Sequence, residues 1–472
     1  MIFFQIDKND KSNHIYQQIY KALKEAILER KIPINEKLPS KRKLAETLGV
    51  SINSVSNAYE QLLAEGFIYA IERKGYYVES ITQFNNLNKV SNKLNFPDDL
   101  KEEFSIKDEG WISLSHMTTD ISMFPFKEWM KCEKIAIKNH KKELIDISHP
   151  QGPYLVRKTI SRMIALTRGV KCEPEQVIIG PGTQPLIRQV MGIQRENTKA
   201  AIENPGYFRI YQLLKDLNFK VFPINLDNKG IDIKKVEALN PNFLFITPSH
   251  QFPTGIIMPI SRRIELLNWA SASEDKYIIE DDYDSEFKYG TDNIPSLQSL
   301  DRNQRVIYVG TFSKTIMPSF RISYLVLPPD LLREYKRHFS YWIQGSNTLN
   351  LFTLHYFIES GEYARHVKCM NNHYEKKREK LIKELKMKFR NGVQIKNVPA
   401  GLHFIAEFKS DKGYKEIEER AKKEKLEIYS MKRFNLSGNI EERNKIILVI
   451  GFANIKNEDI PIAIDRLYRI IY

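Results

Sequence analysis

Between Val177 and Leu327 the chain repeats one pattern, a short run rich in β-branched and aromatic residues followed by a stretch with helical spacing. The runs are VIIG (177–180), AAIEN (200–204), FKVFPI, FLFIT, YIIEDD, VIYVG and ISYLVL (322–327). Parallel strands cannot be joined by tight hairpins and need crossovers, usually helices. The alternation therefore predicts an α/β fold with a mostly parallel sheet covered by helices. In such sheets ligands sit beyond the carboxyl ends of the strands, so the polar residues that follow each run are where chemistry is sought.

After VIIG come Pro181, Gly182, Thr183 and Gln184 and then an amphipathic helix. That arrangement aims backbone N–H groups and a helix N-terminus at an anion such as a phosphate, although a plain turn has the same composition. After AAIEN, the run Pro205-Gly206-Tyr207-Phe208-Arg209 sets a ring and a guanidinium on one rim, either of which could be merely packed or solvated. YIIE leads into Asp281, Asp282, Tyr283 and Asp284, which suit a solvated strand end, a magnesium site or a partner for a cationic ring nitrogen. VIYVG runs into Thr311-Phe312-Ser313-Lys314, with Arg321 a few residues on. A lysine directly after a buried strand, beside hydroxyls and near a second cation, is a candidate for a depressed pKa and imine chemistry. Jointly these groups match the needs of pyridoxal 5'-phosphate (PLP): donors for a phosphate, a lysine for the aldehyde, a carboxylate for the pyridinium and an aromatic for the ring face. A metal site would use the acids but leave the lysine, the glycine turn and the tyrosines idle, and no metal is expected.

At 472 residues the chain is long enough for two or three domains. From His14 to Arg30, Ile15, Ile19, Leu23, Ala26 and Ile27 recur at steps of three and four and predict an amphipathic helix. Ser40 can cap a second, short helix that Gly49 ends, and Ser51 a third. In that third helix Val55, Tyr59, Leu62 and Leu63 face inward, while Asn53, Ser56, Asn57 and Gln61 face out. FIYAIERKGYYV then reads as a hairpin with a basic tip, Arg73 and Lys74. Two short helices about a glycine turn, the second carrying amides and hydroxyls, make a major-groove reader, and the hairpin makes its wing. Ser51, Asn53, Ser54, Ser56 and Asn57 would face bases of double-stranded DNA, with Lys41, Arg42, Lys43, Arg73 and Lys74 on phosphates. The same module could serve protein contacts alone. The boundaries expected are 1–80 for this domain, 81–110 for a linker rich in Asn, Lys, Asp and Ser, and 111–472 for the body.

The formal charge of +14 suits a polyanionic partner, but it is not gathered at the front: residues 1–80 hold twelve Lys or Arg against ten Asp or Glu. No apolar run approaches the ~20 residues that span a bilayer, and the first residues lack the parts of a signal peptide, so a cytoplasmic protein without membrane contact is expected. Cys132, Cys172 and Cys369 are scattered and show neither disulfide nor zinc spacing.

The segment from Leu38 to Val78 closely resembles the winged domain of the GntR family of bacterial regulators, with Ile52 where many relatives carry Arg. Gly182-Thr183-Gln184, Asn204-Pro205-Gly206-Tyr207, TPSHQFPTG, EDDYDSEF and GTFSKTIMPSFRISYLVLP resemble class I aminotransferase signatures in order and spacing. Together they resemble the MocR/GabR branch of the GntR family along essentially the whole chain, and most closely its regulator that responds to γ-aminobutyrate (GABA). The resemblance implies a fold type I body with a smaller C-terminal α/β subdomain, and a homodimer with swapped winged domains. It implies Lys314 as the residue forming the internal aldimine, Asp281 on the pyridinium nitrogen, Tyr283 on the phenolic oxygen and Tyr207 against the ring. Gly182, Thr183, Gln184, Ser313 and Arg321 would hold the phosphate, and Arg209 and Arg433 the carboxylate of an amino-acid effector.

Two departures from catalytic aminotransferases stand out. Phe252 occupies the place of the Asn that precedes Pro-Thr-Gly, which alters or removes its contact with the cofactor, and Val449 stands where many enzymes carry a carboxylate-binding Arg. The expected function is therefore a DNA-binding regulator that senses an amine, GABA by resemblance, through an external aldimine. The alternatives are an active aminotransferase with a regulatory appendage, and a DNA binder with an inert body.

Overall fold

The computed structural model describes residues 4–7, 13–81, 97–101, 110–117, 119–290, 294–396, 400–438 and 444–472. The chain forms two compact units, Met1–Phe104 and Ser105–Tyr472. Most of the expected linker, 81–110, lies outside the described residues.

The first unit contains α1 (Ile15–Leu28), α2 (Lys41–Leu48), α3 (Ile52–Ala64) and an antiparallel hairpin of β1 (Ile68–Ile71) and β2 (Gly75–Val78). Ile19, Leu23 and Ile27 of α1, four residues apart, enter the core with Val55, Ala58, Tyr59 and Leu62 of α3. Leu63 departs from expectation: it is 40% exposed, because it lies one step beyond the Val55–Leu62 stripe. Ser40 caps α2 by accepting from the Lys43 N–H at 3.2 Å, and Gly49 ends it in the left-handed region at φ 61°. The fully buried Tyr59 keeps its phenol satisfied by donating to the Pro39 carbonyl at 2.8 Å.

The second unit opens with β3 (Ile112–Ser113) and continues through β4 (Val177–Gly180), β5 (Lys199–Asn204), β6 (Lys220–Asp227), β7 (Gly230–Ile231), β8 (Phe243–Ile246), β9 (Tyr277–Asp282), β10 (Val306–Thr311) and β11 (Ser323–Val326). Strands β4 to β11 form one eight-stranded sheet in the order β4-β11-β10-β9-β8-β5-β6-β7. β10, β9, β8, β5 and β6 run parallel, as the alternating runs predict. The middles of β5, β8, β9 and β10 are buried on both faces, which is why they read as apolar runs, while β6 is only partly covered. β11 is the exception, antiparallel to both β10 and β4. Its first residue, Ser323, therefore pairs with Thr311 at the carboxyl end of β10. That reversal carries the loop between Lys314 and Arg321 across the top of the sheet.

The C-terminal part adds β12 (Val393–Lys396), β13 (His403–Lys409), β14 (Leu426–Glu427), β15 (Tyr429–Ser430) and β16 (Lys445–Gly451). β12-β13-β16-β15 form an antiparallel sheet, while β14 pairs with β3 in parallel. The long helix Glu362–Phe389 and the helix Ile460–Ile471 pack their apolar faces into one core with β13 and β16. Among the described residues no helix is long and apolar enough to cross a membrane.

Candidate functional site

A cavity of roughly 250 Å³ opens at the carboxyl ends of the parallel strands. The expected cofactor residues reach its wall from four places at the strand ends: Gly182, Thr183 and Gln184 after β4, Tyr207 after β5, Asp281 and Tyr283 at and after β9, and Ser313, Lys314 and Arg321 around the β10–β11 connection.

Gly182 stands at φ 136°, just ahead of the helix Thr183–Gly192, whose first N–H groups have no intrahelical acceptor. A Cβ built on Gly182 would lie 2.2 Å from the Arg321 guanidinium, so this turn and Arg321 close on one spot, where a larger residue would have to push the guanidinium aside. Arg321 itself adopts a left-handed backbone at φ 55°. Nearby, Ser323 donates to Thr311 at 2.8 Å and Thr311 to Ser313 at 3.0 Å, a chain of hydroxyls ending at the wall.

Lys314 Nζ donates to the His116 carbonyl at 2.8 Å, and desolvation lowers its pKa to about 8 against the pull of Asp284. Asp281 has a buried Oδ1 with no hydrogen-bond partner among the described residues. Burial, followed by repulsion from Asp282, Asp284 and Glu203, pushes its carboxyl up to about 7. The neighbouring acids are spent elsewhere. Asp282 accepts from Arg168 Nε at 2.7 Å in a buried pair, and Asp284 lies 3.0 Å from His250 Nδ1. The Tyr283 phenol also meets His250 Nδ1 at 3.0 Å.

Phe252 is buried against Ile405, Met431, Phe434 and Val449, and edge-on to Tyr207 and Tyr283, with ring centroids 5.8 Å apart in each case. His250 and His403 complete a buried trio with Asp284, the one group of possible metal ligands among the described residues. His116 and His403 line the cavity too. No motif marked these histidines: they stand far apart in sequence, and only the packing of β3 and β13 beside the main sheet joins them. Of the two expected effector arginines, Arg209 lines the cavity. Arg433, exposed on the short turn Met431–Phe434, lies with its guanidinium 4.9 Å over the Tyr429 ring and outside the lining set.

On the winged unit, Asn53 and Asn57 are exposed along α3, as are Arg42 and Lys43 on α2 and Arg73 and Lys74 at the hairpin tip. Ser51 accepts from the Ser54 N–H at 3.1 Å, and the two hydroxyls meet at 2.9 Å, so this pair starts α3. Lys41 is turned inward, donating to Ser56 at 2.7 Å.

Residues 15–78 match the family described as bacterial regulatory proteins of the gntR family. Over 453 residues the chain is 36% identical to the uncharacterized HTH-type transcriptional regulator YdeL of Bacillus subtilis, covering 96% of each protein. It is 29% identical over 406 residues to the probable rhizopine catabolism regulatory protein MocR of Rhizobium meliloti, covering 84% of this chain and 82% of that one. The chain belongs to the GntR family, in its MocR-type branch. A MocR-type regulator joins a winged domain to an aminotransferase-like body, and the fold of that body agrees. The α-aminoadipate aminotransferase LysN of Thermus thermophilus superposes with a TM-score of 0.68 at 22% identity, over 77% of this chain and 92% of its own. The multiple substrate aminotransferase of Thermococcus profundus gives 0.69 at 21% identity, over 80% and 97%. Identity this low speaks for the fold alone; the full-length likeness to named regulators makes this MocR-type chain a transcription regulator rather than an enzyme.

Proposed function

We propose that this regulator binds PLP in the cavity and responds to an amino-acid effector, GABA by resemblance, whose amine displaces Lys314 from the cofactor. The observation that carries the reading is the pairing, in one cavity, of a lysine amine with a lowered pKa and a buried carboxyl whose Oδ1 has no hydrogen-bond partner among the described residues. Bound PLP supplies an aldehyde that condenses reversibly with primary amines. The chain's own residues fit that group. Asp281 would regain a stable carboxylate beside a pyridinium nitrogen, and Tyr283 would donate toward the phenolic oxygen. Tyr207 would cover the ring. Gly182, Thr183, Gln184, Ser313 and Arg321 would take the phosphate, with Arg321 supplying the charge-assisted bonds. Arg209 and Arg433 would draw the effector's carboxylate.

The winged domain would read double-stranded operator DNA through α3, with Arg42, Lys43, Arg73 and Lys74 on phosphates, in a cytoplasmic homodimer with exchanged winged domains. The effector regulates only by binding one arrangement of the dimer better than another. Lys314→Ala tests the reading: the loaded variant should lose the visible imine band, the hydride-trapped adduct and the effector response, yet retain operator affinity within about two-fold. A Lys314→Ala protein that still responds to the effector overturns it.

A further inference from the structure

His116 follows β3 at the cavity wall and is only 8% exposed. Its carbonyl accepts from the Lys314 amine, which places its backbone beside that nitrogen. Four rings surround it, Tyr429 at 5.0 Å, Phe252 at 5.2 Å, Phe434 at 5.5 Å and His403 at 6.1 Å between centroids. Within that cage Nδ1 is buried and has no hydrogen-bond partner among the described residues. A buried polar atom left unpaired costs on the order of 1–3 kcal/mol, so this nitrogen, on a residue of the cavity wall, is one whose cost a bond from a ligand or water would relieve.

The chemistry of that ligand is set by charge. The three charged side chains that act on His116 are Lys314, Arg433 and Arg209, all cations. Acids act on the lysine as well: Asp284 pulls on Lys314, and Asp281 lines the same cavity. The cavity thus brings together the carboxyls of Asp281 and Asp284, the amine of Lys314 and, at His116, the pull of three cations. A zwitterion fits that mixture of charges, its amine at Lys314 and its anionic group toward the cations that act on His116. Burial first, then the same cations, push the imidazole down to about 3, which keeps it neutral near pH 7. A neutral ring carries one N–H and can present it at Nδ1. It adds a donor for the anion without adding a fourth positive charge to repel its neighbours.

We infer that His116 donates a hydrogen bond to the carboxylate of the amino-acid effector, so that the pocket distinguishes an amino acid from a plain amine through this residue as well as through Arg209 and Arg433. The inference rests on the PLP-sensor reading above. Because the ring does not titrate near neutrality, its contribution should stay constant between about pH 6 and 8.

The test uses the full-length, PLP-loaded protein, with dissociation constants read from the change in the visible band. The probes are glycine, β-alanine and 4-aminobutyrate, each beside the amine of equal chain length that lacks the acid group. His116→Phe keeps the aromatic packing and removes the donor. It should cut the preference for the amino acid over its matched amine by about ten- to hundred-fold. His116→Asn, with an amide N–H near the Nδ1 position, should recover most of that preference. The band formed by each variant with PLP alone reports an intact pocket. Equal weakening of acid and amine, or an unchanged preference, overturns the role of His116. If no probe perturbs the wild-type band at all, the sensor reading itself fails, a result plainly different from a band that responds equally in wild type and variants.

Discussion

A lysine amine is a useful nucleophile only when it is unprotonated, and the surroundings of Lys314 act on that requirement. Its ordinary pKa of 10.5 is lowered to about 8 because burial disfavours the ammonium form. The uncharged fraction is then about a tenth at pH 7, half at pH 8 and nearly complete above pH 9. PLP uptake should therefore quicken about five-fold from pH 7 to 8 and level off above 9, as followed by stopped-flow growth of the visible band. A rate still climbing at pH 10 would show an unperturbed amine. Gly182 is the second critical residue. At φ 136° and with Arg321 where a Cβ would go, Gly182→Ala must strain the turn and push the guanidinium aside. The outcome expected is a ten-fold or greater loss of PLP affinity by absorbance titration, with unchanged far-ultraviolet circular dichroism.

The elements are pinned to one another by buried polar bonds as much as by apolar packing. The helix Tyr154–Arg168 ends in Arg168, which donates to Asp282 on β9, to the Ser249 hydroxyl at 2.6 Å and to the Ile294 carbonyl. Tyr308 on β10 donates to the same Asp282. This network sets the end of the strand that presents Asp281. Arg168→Met removes the cation and leaves the buried Asp282 carboxylate with the Tyr308 hydroxyl alone, a change that costs about 3–5 kcal/mol. Urea denaturation of the full chain should show that loss, whereas a change under about 1 kcal/mol would mean that Asp282 finds another donor.

At the scale of the whole molecule, the proposed homodimer has support on the surface of the body. Tyr341, Trp342 and Ile343 are consecutive and 92%, 55% and 70% exposed, an apolar run that a lone chain would leave in water. Light scattering at micromolar concentration should return twice the mass of the chain. A monomer under those conditions would sink the exchanged-domain arrangement. The net charge of +14 belongs to the molecule and not to the winged unit, whose bases and acids nearly balance, so in the proposed reading operator selectivity would rest on α3 and the hairpin tip more than on bulk charge.

Residues that act from the end of their own strand were legible in the chain itself. Apolar runs, the glycine turn after β4, the acids after β9 and the lysine after β10 are local patterns, and local patterns follow from backbone periodicity and side-chain type. The same holds for the capped helices and the hairpin of the winged unit. What depended on tertiary structure was every partnership across long separations. His116 meets Lys314, 198 residues on, only because β3 pairs with β14 and lies beside the sheet. Arg321 reaches the Gly182 turn because β11 runs against its neighbours, a reversal that its apolar sequence does not encode. Strand direction and burial are properties of the assembled sheet, and the charge, the unpaired nitrogen and the polarity of the cavity follow from them.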